Sequence, residues 1–207
     1  DYFDIMDEFG TMAEFDALLE AVHNKGMRLI LDLVVNHTSD EHPWFIESRS
    51  SKTNAKRDWY IWQDPQPDGS EPNNWESIFN GSTWEYDQKT EQYYFHLFSK
   101  KQPDLNWENP EVRQAVISMM NWWFDKGIDG FRVDAITHIK KSFDKGNLPT
   151  TNQQKFAPAF DAAMNQPGIH TWLQEVKEGS LDHYDIMTVG EANGVSPADA
   201  HLWVGEN

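Results

Sequence analysis

Three short apolar runs, each continuous rather than alternating, punctuate this chain. Residues 29–35 are apolar apart from Asp32 and run into Asn36 and His37. Residues 128–133 lead into Asp134, and residues 186–189 pass through Gly190 to Glu191. Runs of this kind predict parallel strands covered on both faces. Each ends on polar residues, and the C-terminal ends of such strands are where α/β barrels keep their chemistry.

Helical periodicity fills the intervals. Thr11 and Glu14 have the spacing of a capping box, with Phe15, Leu18, Leu19 and Val22 as an apolar stripe and Gly26 as the stop. Asn109-Pro110-Glu111 predicts a second helix start, with Pro at the first helical position. That helix should run to about Lys126 and turn Val112, Val116, Met119 and Trp123 inward. Residues 136–178 read as helical but irregular, and Ser196-Pro197-Ala198 predicts one more helix start.

Residues 38–103 break this rhythm. They are rich in Trp, Pro, Asn, Ser and Asp, with strand-like pieces at 59–62 and 93–98. A stretch of about 65 residues far exceeds an ordinary connection, so an inserted subdomain covering a site is expected. Three parallel strands are fewer than the eight of a closed βα barrel. The chain therefore reads as an internal part of a larger α/β protein.

Composition narrows the function. Among 207 residues, 34 acidic against 17 basic give a net charge of −17, which argues against nucleic acid as a partner. There is no cysteine, which excludes disulfides and thiolate metal sites. No apolar stretch approaches the roughly 20 residues of a membrane span. No signal peptide is visible, so a cytoplasmic protein with no membrane partner is expected. Aromatics are plentiful, with 10 Trp, 12 Phe and 6 Tyr. Most should be core, though Trp and Tyr faces also stack on sugars.

Four short segments carry a specific resemblance. Asp32-Leu33-Val34-Val35-Asn36-His37, Gln102-Pro103-Asp104-Leu105-Asn106, Gly130-Phe131-Arg132-Val133-Asp134 and Val189-Gly190-Glu191 resemble, in order and spacing, the signature regions of the α-amylase family of glycoside hydrolases (family 13). The form Gln-Pro-Asp-Leu-Asn, with Glu8-Phe9-Gly10-Thr11-Met12 upstream, is similar to the oligo-1,6-glucosidase and α-glucosidase branch. The resemblance covers essentially the whole chain.

It implies a partial (β/α)8 barrel, about strands 3–5, with a loop-rich subdomain inserted after strand 3. The implied division is 1–37 as barrel (helix 2 and strand 3), 38–103 as the inserted domain B, and 104–207 as barrel from helix 3 to beyond strand 5. The family's third catalytic Asp would lie outside these residues.

The resemblance also implies roles. Asp134 matches the nucleophile and Glu191 the general acid/base of a retaining, double-displacement mechanism. Such an acid needs a pKa raised by a desolvated, carboxylate-rich pocket. His37 and Arg132 match substrate-site residues, with Arg132 two positions before the nucleophile on the same strand face. Asp32 resembles a buried support for Arg132. Asn36 is a calcium ligand in many α-amylases, but in this branch a structural role is expected.

Ala135 follows the nucleophile, where strict α-1,6 enzymes of the branch usually carry Val. A smaller residue widens the acceptor subsite, so α-1,4 as well as α-1,6 bonds of short gluco-oligosaccharides are the expected substrates. No cofactor is expected, unless calcium or magnesium sits on a barrel loop beyond these residues. The alternatives are a transglucosidase or isomerase of the family, such as a sucrose isomerase or trehalose synthase, or a non-catalytic relative acting as a partner protein.

Overall fold

The computed structural model describes residues 1–151 and 154–204. The first helix, α1 (Met12–Asn24), begins at the expected capping box. Thr11 Oγ1 accepts from the Glu14 N–H, and the Glu14 carboxylate accepts from the Thr11 N–H at 2.8 Å. Phe15 and Leu19 of the predicted stripe are buried, whereas Leu18 is 53% exposed and lies off the packed face.

Strand β1 (Ile30–Val34) follows. The chain then enters the irregular stretch, with a short helix α2 (Pro43–Ser48) and four short strands: β2 (Trp62–Gln63), β3 (Trp75–Glu76), β4 (Trp84–Asp87) and β5 (Gln92–Phe95). The expected strand at 59–62 is mostly a 3-10 turn, Arg57–Trp59, leading into β2. Strands β2, β5 and β4 form an antiparallel sheet in that order. Both ends of the stretch are fastened together, since the Leu105 N–H donates to Asn36 O at 2.9 Å and the Thr38 N–H to Pro103 O at 3.1 Å.

Helix α3 (Pro110–Lys126) is capped by Asn109 and ended by Gly127 at φ 103°, and all four predicted inward residues are buried. It packs on α1 through an edge-on Phe15–Trp123 contact at 5.3 Å. Strand β6 (Gly130–Asp134) comes next, then the two-residue β7 (Ala157–Pro158), α4 (Phe160–Ala163), α5 (Ile169–Gly179) and β8 (Met187–Gly190). The helix expected at 196–198 is not formed; only a 3-10 turn, Ala200–Leu202, follows, because Ser196 and Asp199 close a local side-chain turn instead.

Strands β1, β6 and β8 form one parallel sheet in sequence order, joined by helical crossovers. This is an arc of a (β/α)8 barrel rather than a closed one. The expectation of strands buried on both faces is not met across the arc, because β8 is exposed along its length.

The inserted stretch does not keep its core to itself. Trp75, Trp84, Phe95 and Leu97 pack with Ala159, Ala162 and Ala163, and β7 pairs with β3. The segment after β6 therefore completes the core of the subdomain inserted after β1.

Candidate active site

Register explains why the candidate residues meet. Asp32 lies opposite Arg132 and Val34 opposite Asp134 across β1–β6, while Val133 lies opposite Gly190 across β6–β8. Alternate residues of a strand share a face, so Arg132 and Asp134 project together. The Glu191 N–H donates to Val133 O at 2.8 Å, which places Glu191 directly past the end of β8.

Arg132 joins three carboxylates. Its Nη1 donates to Asp32 Oδ1 at 2.8 Å and to Asp134 Oδ1 at 2.6 Å, and its Nη2 lies 3.0 Å from Glu191 Oε2. Hydrogen bonds to Asp32 first and Asp134 second hold the guanidinium above its ordinary pKa. The structure thus brings Asp134, Glu191 and Arg132 to one place. Two expectations need correction. The Asp32 side chain is 55% exposed rather than buried, although it does support Arg132. Glu191 is 40% exposed and paired to a cation, not enclosed in a desolvated pocket, because β8 has no cover on its outer side here.

His37 is buried at the end of β1. Burial pushes its imidazole below the ordinary value, against the opposing pull of Asp104 and Asp134. Its Nε2 lies 2.9 Å from Gln102 Nε2, and its ring packs on Phe98 at 5.2 Å between centroids. The Ser99 N–H donates to Gln102 Oε1, which turns the Gln102 amide N–H toward His37. Phe98 in turn contacts Phe79 and His138.

Beneath His37 lies a buried polar network. Asn36 Nδ2 donates to Asp104 Oδ2 at 3.0 Å, and Lys141 Nζ donates to Asn36 Oδ1 at 2.9 Å and pairs with Asp104 Oδ2 at 2.6 Å. The other Asp104 oxygen accepts from the Leu97 N–H. Burial pushes the Lys141 ammonium down while Asp104 opposes it. The positive charge between Asn36 and Asp104 is therefore supplied by the chain's own lysine. Among the described residues no group of three or more His, Asp and Glu side chains is placed to hold a metal ion.

Ala135 is 1% exposed and adopts left-handed backbone, φ 46°, ψ 33°. Its N–H donates to Glu191 Oε2 at 3.2 Å. Its methyl is enclosed, so a larger side chain would press on the turn after β6 as well as narrow the site.

Sequence reasoning left Gln102, Phe98, Phe79 and Lys141 without a role. Gln102 and Asp104 sat inside a quoted segment, which was the one available signal. Lys141 reaches Asp104 only through tertiary folding, and nothing in its local sequence marks it.

Comparison with known proteins agrees with this geometry. The sequence profile of the alpha-amylase catalytic domain matches residues 1–207. A probable oligo-1,6-glucosidase 3 of Bacillus subtilis is 62% identical over 206 residues, covering 100% of this chain and 37% of that protein. The crystal structure of Bacillus licheniformis trehalose-6-phosphate hydrolase superposes with a TM-score of 0.92 at 44% identity, over 99% of this chain and 36% of that one. A trehalulose synthase variant gives 0.90 at 43% identity, over 99% and 36%. The chain thus spans little more than a third of the relatives it matches. Among its described residues no helix is long and apolar enough to cross a membrane.

Proposed function

Since this chain belongs to the α-amylase family of glycoside hydrolases, we propose that the full-length protein is a retaining α-glucosidase. Its substrates are the terminal α-1,4 and α-1,6 glucosidic bonds of short gluco-oligosaccharides. One observation carries the proposal: a single guanidinium, Arg132, holds Asp134 and Glu191 at the ends of neighbouring parallel strands. Two carboxyl groups drawn together in this way fit the short separation of retaining enzymes, about 5–5.5 Å, with no room for a water between them.

In the first step the Asp134 carboxylate attacks the anomeric carbon. The glycosidic C–O bond breaks, and Glu191 gives its proton to the departing oxygen. In the second step water attacks that carbon, Glu191 takes the water's proton, and the bond to Asp134 breaks, releasing glucose with its configuration retained. His37, neutral through burial, offers a ring nitrogen to a sugar hydroxyl beside Gln102, and Phe98 supplies an apolar wall. Ala135 leaves room on the acceptor side for either linkage.

No cofactor is assigned to these residues, since Lys141 already neutralises the Asn36–Asp104 pair. The acidic, cysteine-free composition supports a cytoplasmic setting. Retention of both carboxylates argues against a non-catalytic partner protein.

The likeness to a trehalulose synthase favours one second reading, a transglucosidase or isomerase that uses the same glucosyl-enzyme. Product analysis of the full-length protein with maltose, isomaltose and sucrose separates them. Glucose from maltose and isomaltose supports the broad α-glucosidase. Rearranged disaccharides support the isomerase, and absence of turnover on all three overturns both.

A further inference from the structure

The two carboxylates proposed to do the chemistry are held asymmetrically. Glu191 Oε2 faces two donors, Arg132 Nη2 at 3.0 Å and the Ala135 main-chain N–H at 3.2 Å. Among the described residues no donor reaches Oε1. Asp134 repeats the pattern, with Oδ1 held by Arg132 Nη1 at 2.6 Å and Oδ2 open.

The Ala135 bond has a specific structural origin. The parallel ladder between β6 and β8 stops at Val133 opposite Gly190, after which the Glu191 N–H makes the last main-chain bond, to Val133 O. Ala135 then turns left-handed into the 3-10 turn Ile136–His138, closed by the His138 N–H donating to Ala135 O at 2.9 Å. That turn uses the Ala135 carbonyl and leaves its N–H for the Glu191 side chain. A non-glycine residue in this conformation is uncommon and persists where the surroundings fix it.

We propose that Ala135 is a positioning residue which, together with Arg132, decides which oxygen of Glu191 carries the catalytic proton. A proton on Oε2 would point at two donors, so Oε2 stays the unprotonated, anchored oxygen. Oε1 gives its proton to the glycosidic oxygen and later takes one from water, while Asp134 attacks through Oδ2. The inference rests on the glucosidase reading above and adds the assignment of the individual oxygens.

The direct test replaces the Ala135 amide by an ester in the full-length enzyme, incorporating the matching α-hydroxy acid so that the side chain is kept. Removing a donor from one carboxyl oxygen disfavours the charged form. The expected result is a kcat lower by about tenfold, the size of one lost hydrogen bond to a charged group, with KM little changed and the alkaline limb of the kcat profile moved to higher pH. A pH profile identical to the unmodified enzyme overturns the proposal.

Neutron diffraction of the unmodified enzyme provides a second test that needs no variant. A deuteron on Glu191 Oε1 supports the assignment, and one on Oε2 overturns it. Full turnover by Glu191→Gln would overturn the glucosidase reading itself. Loss of turnover in Glu191→Gln beside an unshifted profile in the ester enzyme would overturn only the oxygen assignment.

Discussion

Arg132 is the residue on which the geometry turns. Its planar fork reaches Asp134 with one terminal nitrogen and Glu191 with the other, while Asp32 braces it from the neighbouring strand. A lysine is a single point charge and cannot span the two carboxylates at once. Arg132→Lys in the full-length enzyme is expected to keep the fold and lose about 100-fold or more in kcat/KM, the scale of a misplaced catalytic group. Circular dichroism and steady-state kinetics on the same preparation check both halves. At this scale the sequence was informative where a reactive side chain ended a strand, as at Asp134, Glu191 and His37. It was silent on Lys141, Phe98 and Phe79, which join the site from distant segments. It also misjudged the surroundings of Asp32 and Glu191, because solvent cover is a property of neighbouring elements and not of the strand itself.

Elements hold these residues in register through a few tight points. Gly130 opens β6 at φ 149°, and a Cβ built there would lie 1.7 Å from Met187 O on β8. Main chain cannot yield that much without breaking the β6–β8 pairing that positions Glu191. Gly130→Ala is therefore expected to cost roughly 3 kcal/mol or more and to abolish activity, measurable by denaturant unfolding.

At the opposite end of the sheet Asp129 ties α1 and β1 to β6. It accepts from Arg28 Nη1 at 2.6 Å and from the Leu29 N–H at 2.7 Å, and it lies 2.8 Å from His23 Nε2. Against the opposing effect of its burial, these bonds, led by Arg28 and Leu29, lower its pKa to about 2. A carboxyl depressed in the fold adds stability that is present above its unfolded value near 3.9 and is lost as pH falls toward 2. Thermal unfolding should show that loss below about pH 4, and Asp129→Asn should flatten it. An acid profile unchanged by Asp129→Asn would contradict the assignment.

The elements legible in sequence were those with local determinants: the capping box of α1, the Asn109-Pro110 start and Gly127 stop of α3, and the apolar runs of the sheet. The short strands of the inserted region were harder to place. Their pairing depends on partners such as β7, more than 70 residues away along the chain.

As a whole the chain is an arc of barrel joined to a subdomain, and its exposed surface follows from that. Neither β1 nor β8 has a second strand neighbour among the described residues, and Met187 and Val189 on β8 are exposed. Unpaired strand edges with apolar side chains template association. Expressed alone, residues 1–207 should aggregate and show no turnover, which light scattering and a glucosidase assay would register together. A monodisperse, cooperatively melting and active product would contradict that expectation. The barrel class could be read in the sequence because three continuous apolar runs alternated with helices. The sharing of Ala157–Pro158 and α4 with the inserted subdomain could not, since nothing local marks that contact.

The central claim is that Asp134 forms a covalent bond to glucose. A 5-fluoro-α-glucosyl fluoride traps such an intermediate, because it is transferred to the nucleophile faster than water removes it. Mass spectrometry of the digested full-length enzyme should find one fluoroglucosyl adduct, on the peptide that carries Asp134. An adduct on any other carboxylate, or turnover of the reagent by Asp134→Asn at the unmodified rate, would contradict the account.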